Sequence, residues 1–163
     1  MEKLKKEILE YLEDNAKYTF AQLAKLTGTT EQEVKAVVEF MEEEGIIVKY
    51  SAIINTEALK ERNIQALIEV KVAPQKLKGF DSYAEELYHF SEVKSLYLMS
   101  GTFDLAIFVE GEDITDISRF VAEKLSVIDG ITSVQTHFIL KKYKIEGHIT
   151  KPSIEHERQT IHE

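Results

Sequence analysis

The apolar positions of the first 45 residues recur with helical spacing. Leu4, Ile8, Tyr11 and Leu12 share one face of a helix over 4–14, with Lys5, Lys6, Glu10 and Glu13 off it. Thr19 followed three residues later by Gln22 predicts a capping box, and Phe20, Leu23 and Ala24 continue a second helix that stops at Gly28. Thr30 with Glu33 repeats the device, and Val34, Val37, Val38 and Met41 form the buried stripe of a third helix ending at Gly45. Two helices joined by a tight turn after a leading helix fit a helix-turn-helix. The same spacing also fits a plain three-helix domain that touches no nucleic acid. Ile46-Ile47-Val48 and Ala52-Ile53-Ile54, around Lys49-Tyr50-Ser51, read as a small strand pair in the position of a wing.

Beyond a polar connector over 55–63 the period changes. Ala66, Ile68, Val70 and Val72 alternate with Leu67, Glu69 and Lys71 in a half-buried strand that Pro74 ends. Phe80, Ala84, Leu87 and Tyr88 form a helical stripe. Two apolar runs, Leu96 to Met99 and Phe103 to Val109, flank Ser100-Gly101-Thr102 and predict an antiparallel hairpin with strands at about Val93 to Met99 and Phe103 to Glu110. Gly101 can take a positive φ at little cost, and Asp104 is placed to accept loop N–H groups. Asp113 caps a helix carrying Ile117, Phe120, Val121 and Leu125. A last strand over 131–140 sets Val134, Thr136, Phe138 and Leu140 on one side. Strand-helix-strand-strand-helix-strand is the ferredoxin-like split βαβ order. Residues 146–163 read as a polar tail.

Composition changes this picture in two places. Zero Cys removes disulfides and thiolate metal sites, and no apolar run approaches the ~20 residues of a membrane helix, so a soluble, cytoplasmic protein is expected. The net charge of -9 bears on partners, because an acidic surface is repelled by a phosphate backbone. The acidity reaches the helical half: residues 1–50 hold 7 Lys against 11 Asp+Glu. The five His show no metal-ligand spacing, and the chain has no P-loop, no GxGxxG and no nucleophile elbow. No cofactor, metal or catalytic group is expected.

FAQLAKLTGTTEQEV with EEEGII, then YSAIINTEAL, LMSGTFDLAIFV and GITSVQTHFIL, in that order and spacing, resemble the Lrp/AsnC (feast/famine) family of prokaryotic transcriptional regulators over about residues 1–145. The resemblance implies an α+β chain. An N-terminal winged helix-turn-helix (1–54) and a linker (55–63) would precede a C-terminal ferredoxin-like βαββαβ (RAM-type) domain (64–145). It implies DNA as partner, a homodimer formed through open sheet faces with dimers often assembled into octamers, and a small effector, usually an amino acid, beside the hairpin turn. The matching positions are Ser100, Gly101, Thr102, Asp104 and Thr136. A zwitterion needs donors for its carboxylate, which backbone N–H groups supply, and an acceptor for its ammonium, which a fixed Asp supplies.

The third helix departs from the family pattern. Ala36, Val37, Glu39 and Phe40 stand where Arg or Lys is common, and Glu31 to Glu44 holds one Lys against six Glu. Thr29, Thr30, Gln32 and Lys35 lie at the start of the recognition helix, where base and phosphate contacts are made. Lys49 in the wing and Lys3, Lys5 and Lys6 add phosphate-directed charge. The alternative function is an effector-binding oligomer whose helical domain has lost DNA binding and serves assembly or a protein partner. An enzyme of the siroheme decarboxylase type, similar in architecture, is disfavoured by three scattered Arg and the lack of Trp. A dimer is expected from Tyr97, Met99, Phe103, Leu105, Ile107 and Phe138, taken as more apolar strand surface than two helices cover.

Overall fold

The computed structural model describes residues 1–56, 63–73 and 79–150. The chain forms two compact units, Met1–Ile54 and Asn55–Glu163. Most of the expected linker (57–62), Pro74 and the tail beyond 150, with Arg158, His156 and His162, lie outside the described residues, as does Arg62.

The first unit holds α1 (Glu2–Asp14), α2 (Phe20–Thr27) and α3 (Glu31–Glu43). Local chemistry sets their limits. Thr19 and Gln22 satisfy each other's backbone N–H at the start of α2, with Thr19 N to Gln22 Oε1 at 2.9 Å and Gln22 N to Thr19 Oγ1 at 3.2 Å. Gly28, at φ 69°, turns the chain left-handed to end α2, a conformation that costs a side-chain-bearing residue more. The three helices close on Ile8, Leu23, Ala24, Val34, Val38 and Met41, all buried. Burial of each large aliphatic side chain stabilises by roughly 1.5–3 kcal/mol, which a 54-residue unit needs. After Gly45 the chain caps α3 by donating Ile46 N and Ile47 N to Met41 O, at 2.8 and 3.0 Å.

The expected wing strands do not form: 46–54 carries no strand among the described residues. Of their side chains only Ile47 packs against the helical core, Val48 being 86% exposed, and a lone two-stranded ribbon with so little apolar backing is marginal.

The second unit is a four-stranded antiparallel sheet, β1 (Ile64–Val72), β2 (Val93–Leu98), β3 (Leu105–Gly111) and β4 (Ile131–Phe138), in the order β2-β3-β1-β4. α4 (Phe80–Leu87) and α5 (Ile114–Arg119), the latter running on as a π-helical segment Phe120–Leu125, cover one face. Asp113 caps α5 by accepting Asp116 N at 2.9 Å. That hydrogen bond, first among several causes, holds the Asp113 carboxyl below its usual range.

Strand register decides which residues meet those helices. Ala66, Ile68, Val70 and Val72 of β1 and Leu105, Ile107 and Val109 of β3 are buried with Tyr83, Leu87, Ile117 and Phe120. Val134 and Phe138 pack against that core from β4. The dimer argument from Leu105, Ile107 and Phe138 is therefore corrected, because those side chains are taken up within one protomer. The opposite face carries Leu67, Glu69, Tyr97, Ala106, Phe108, Gln135 and His137. There Tyr97 meets Phe108 edge-on at 6.1 Å, and His137 Nε2 stands 3.4 Å from Glu69.

The start of the expected tail is ordered. β5 (Lys144–Ile145) and β6 (His148–Ile149) pair through Glu146-Gly147, at φ 43° and 85°. Positive φ at both central residues is what a tight two-residue hairpin turn requires. Thr150, 3% exposed, then donates its N–H to Tyr143 O at 3.1 Å and its hydroxyl to Lys142 O. Among the described residues no helix is long and apolar enough to cross a membrane.

Candidate functional site

At the start of α3 the two threonines singled out for DNA are already engaged. Thr30 caps the helix, its Oγ1 accepting Glu33 N at 3.3 Å while Glu33 Oε2 accepts Thr30 N at 3.1 Å. The same carboxylate oxygen takes the hydroxyls of Thr30, at 2.9 Å, and of Thr29. The Thr29 hydroxyl, then the Thr30 N–H and hydroxyl, hold the Glu33 carboxyl below its ordinary range. An ionised carboxylate thus sits where helix N–H groups would otherwise receive a phosphate. Sequence reading assigned Thr30 both roles, capping and DNA contact, and the structure shows the first.

Gln32 and Lys49 are exposed. Lys35 is exposed too, but its Nζ lies 3.6 Å from Glu39 one turn on. Of the α1 lysines, Lys3 pairs with Glu7 at 3.4 Å, and Lys5 with Glu2 at 3.0 Å while lying 4.3 Å above the Phe40 ring. Lys6 is exposed. Three of the seven lysines of residues 1–50 are thus paired along their own helices. Exposed pairs of this kind are worth under ~1 kcal/mol and exchange readily for a phosphate.

In the second unit the hairpin loop between β2 and β3 stands at the end of the sheet. Met99 N donates to Asp104 O at 2.8 Å, closing the loop, and Asp104 N donates to Val70 O at 2.9 Å. Asp104 Oδ2 accepts Val72 N at 2.8 Å, so the carboxylate ties the loop base to β1. This acceptor role was foreseen for the loop's own N–H groups; its partner is the neighbouring strand.

Ser100, Gly101 and Thr102 are exposed. Gly101 does not use a positive φ, and a side chain there would meet open space. The turn's geometry does not demand glycine. Thr136 lies opposite Ile68, in mid-strand and partly buried on the helix-covered face. With β1 between β3 and β4, it sits two strands from the hairpin, about 10 Å at ~4.8 Å per strand. Within one chain the structure brings Ser100, Gly101, Thr102 and Asp104 together and leaves Thr136 apart.

Beside the loop, a groove of about 300 Å³ runs between α4 and the edge strand β2, lined by Phe80, Asp81, Tyr88, Lys94, Leu96 and Leu98 among others. It combines one acid and one base with an apolar floor. Asp81 and Lys94 carry no sequence signal, since each reads as an ordinary solvated charge.

Comparison with known proteins covers both units. The family model for the winged helix-turn-helix DNA-binding domain matches residues 1–48, and that for the Lrp/AsnC ligand binding domain matches residues 65–149. YugG of Bacillus subtilis, described as an uncharacterized HTH-type transcriptional regulator, is 43% identical over 144 residues, 88% of this chain and 87% of its own. The HTH-type transcriptional regulator LrpA of Pyrococcus horikoshii is 35% identical over 137 residues, 84% of this chain and 94% of its own. The structure of E. coli AsnC superposes with a TM-score of 0.67 at 26% identity, covering 89% of this chain and 95% of that one.

Proposed function

The chain belongs to the Lrp/AsnC family of HTH-type transcriptional regulators, with a DNA-binding and a ligand-binding domain, and from that premise we propose that it is a homodimeric regulator whose grip on DNA is set by an amino acid held at the β2–β3 hairpin. The observation that carries the effector reading is the exposed Ser100–Thr102 loop, fixed at its base by the Asp104 to Val72 bond. Backbone N–H groups of that loop face the effector's carboxylate. Asp104 faces its ammonium. The adjoining groove, with Tyr88, Leu96 and Leu98, receives an apolar side chain. Thr136 contributes from a neighbouring subunit or not at all.

On the DNA side, Gln32 and Lys35 of α3 read the major groove and Lys49 contacts phosphate. Few cations serve each protomer, so operator affinity comes from several protomers bound at once. The dimer forms through the sheet face of Leu67, Tyr97, Ala106 and Phe108, with octamers built from such dimers.

A second reading is favoured by one observation, the ionised Glu33 at the N-terminus of α3. In it the helical unit has lost DNA binding and the protein remains an effector-binding oligomer. A thermal-shift screen against the twenty amino acids tests the effector site, because a ligand that binds only the native state must raise its stability. A concentration-dependent rise for one class of amino acid, lost in a Ser100→Trp variant, is expected. A flat response to all twenty rejects the sensor.

A further inference from the structure

The three-helix unit has a recess that the DNA-binding role does not use. It has a volume of about 180 Å³ and lies between the end of α1, the turn into α2, and α3, where Tyr50 closes one side. Leu12, Phe20 and Val38 line it with Tyr18, Glu42 and Tyr50. The Tyr50 hydroxyl donates to Glu42 Oε1 at 2.8 Å. Burial, then the hydrogen bond to Glu42, pushes the Tyr50 pKa up to about 12.

The lining selects a charge type. Aromatic rings present electron-rich faces that attract cations, most strongly when a carboxylate stands beside them. Tyr18, Phe20 and Tyr50 supply three rings around one recess, and Glu42 supplies the carboxylate. No described lysine or arginine forms an ion pair with Glu42, whereas Lys35 and Lys5 on the same unit are paired. An anion is repelled here, and a neutral apolar molecule leaves the Glu42 charge uncompensated, since Tyr50 supplies a hydrogen bond but no positive charge. The volume holds about six waters at ~30 Å³ each, the size of a short amine.

We propose that this recess binds a small alkylammonium or arylammonium ion, its charged head against Glu42 and the rings of Tyr18 and Tyr50, its apolar body against Leu12, Phe20 and Val38. The site is distinct from the hairpin loop and takes a cation where the loop takes a zwitterion. Glu42 belongs to α3, so occupation cancels one of the negative charges on that helix.

The test uses the full chain, labelled for amide-resolved NMR and titrated to about 50 mM with n-butylammonium, and separately with n-butanol as a neutral molecule of the same shape. Saturable shifts are expected in 12–23 and 38–50 with the ammonium, and about tenfold weaker binding with the alcohol. A Glu42→Gln variant keeps an acceptor for Tyr50 and removes the charge, and in it the preference for the ammonium should vanish. Equal binding of amine and alcohol by the unmodified chain overturns the proposal, as does the absence of saturable shifts. That comparison needs no variant, and neither readout involves DNA.

Discussion

Asp104 and Val72 are joined across the end of the sheet, the carboxylate Oδ2 accepting the strand's last N–H at 2.8 Å. The bond supplies a partner for a backbone group at the point where β1 stops, and it anchors the loop that follows β2. One half-buried residue therefore holds both the end of β1 and the base of the loop. Asp104→Ala removes a charge-assisted hydrogen bond and should lower unfolding free energy by about 1.5–3 kcal/mol in urea titration. Asp104→Asn keeps an acceptor and should lose less than half as much. Equal losses in the two variants would show that the bond to Val72 is not the source.

Glu33 gives the helical unit an acid-sensitive end. Its carboxyl is held below the ordinary value of 4.5 by the threonine hydroxyls and the Thr30 N–H. A folded pKa below the unfolded one adds stability that is fully present above the unfolded value, and that is lost as pH falls through the folded value. Glu33→Gln should flatten the stability-pH curve on the acid side of pH 4.5 and leave its shape near neutrality unchanged. Thr30→Ala should cost about 1 kcal/mol at neutral pH through loss of the cap. Thermal melts between pH 3 and 7 would read both.

Lys35 and Glu39 share one turn of α3 at 3.6 Å. Glu39→Gln releases the lysine and removes a charge that opposes phosphate. Operator affinity should rise, while Lys35→Ala should lower it and reduce the slope of log K against log salt by about 0.9 per protomer engaged. Fluorescence anisotropy with a labelled operator, repeated at several salt concentrations, measures both effects.

The sheet face opposite the helices makes a separate prediction. Phe108→Glu places a charge beside Tyr97 on that face and leaves the helix-side core untouched. Sedimentation should show dissociation to monomers with far-UV dichroism preserved. A dimer of unchanged affinity would move the association surface elsewhere.

Capping chemistry is local, and the two boxes at Thr19/Gln22 and Thr30/Glu33 were legible because each needs only four consecutive residues. The succession of strands and helices along the second unit was legible from the change of apolar period. The face of β3 was not. Leu105 to Val109 is apolar at every position, so period two leaves no mark, and only register against β1 shows that Leu105 and Ile107 point to the helices while Phe108 does not. The wing strands were over-read for a related reason. Ile46 to Val48 has strand propensity, but with Ile47 alone packed on the helical core that propensity did not pair it. Glu146-Gly147 was the reverse case: a turn signal short enough to be lost in a polar run, yet sufficient to pair four residues.

In the site, Ser100 to Thr102 was legible as a loop because a polar break between two apolar strands has few other readings, while Phe103 and Asp104, read as the start of the second strand, precede β3. Thr136 was read on the last strand, and within one chain β1 separates that strand from the hairpin. The capping role of Glu33 was legible from its spacing to Thr30, whereas its hold on the Thr29 hydroxyl follows only from the geometry.

A gel shift of the full-length protein on its own upstream region, run across a salt series with and without the twenty amino acids, bears most directly on the account. A shift at low salt that fades steeply as salt rises, and that one class of amino acid strengthens or weakens, is the predicted result. No shift at the lowest salt, whatever amino acid is added, would contradict it and leave an effector-binding assembly that has given up DNA.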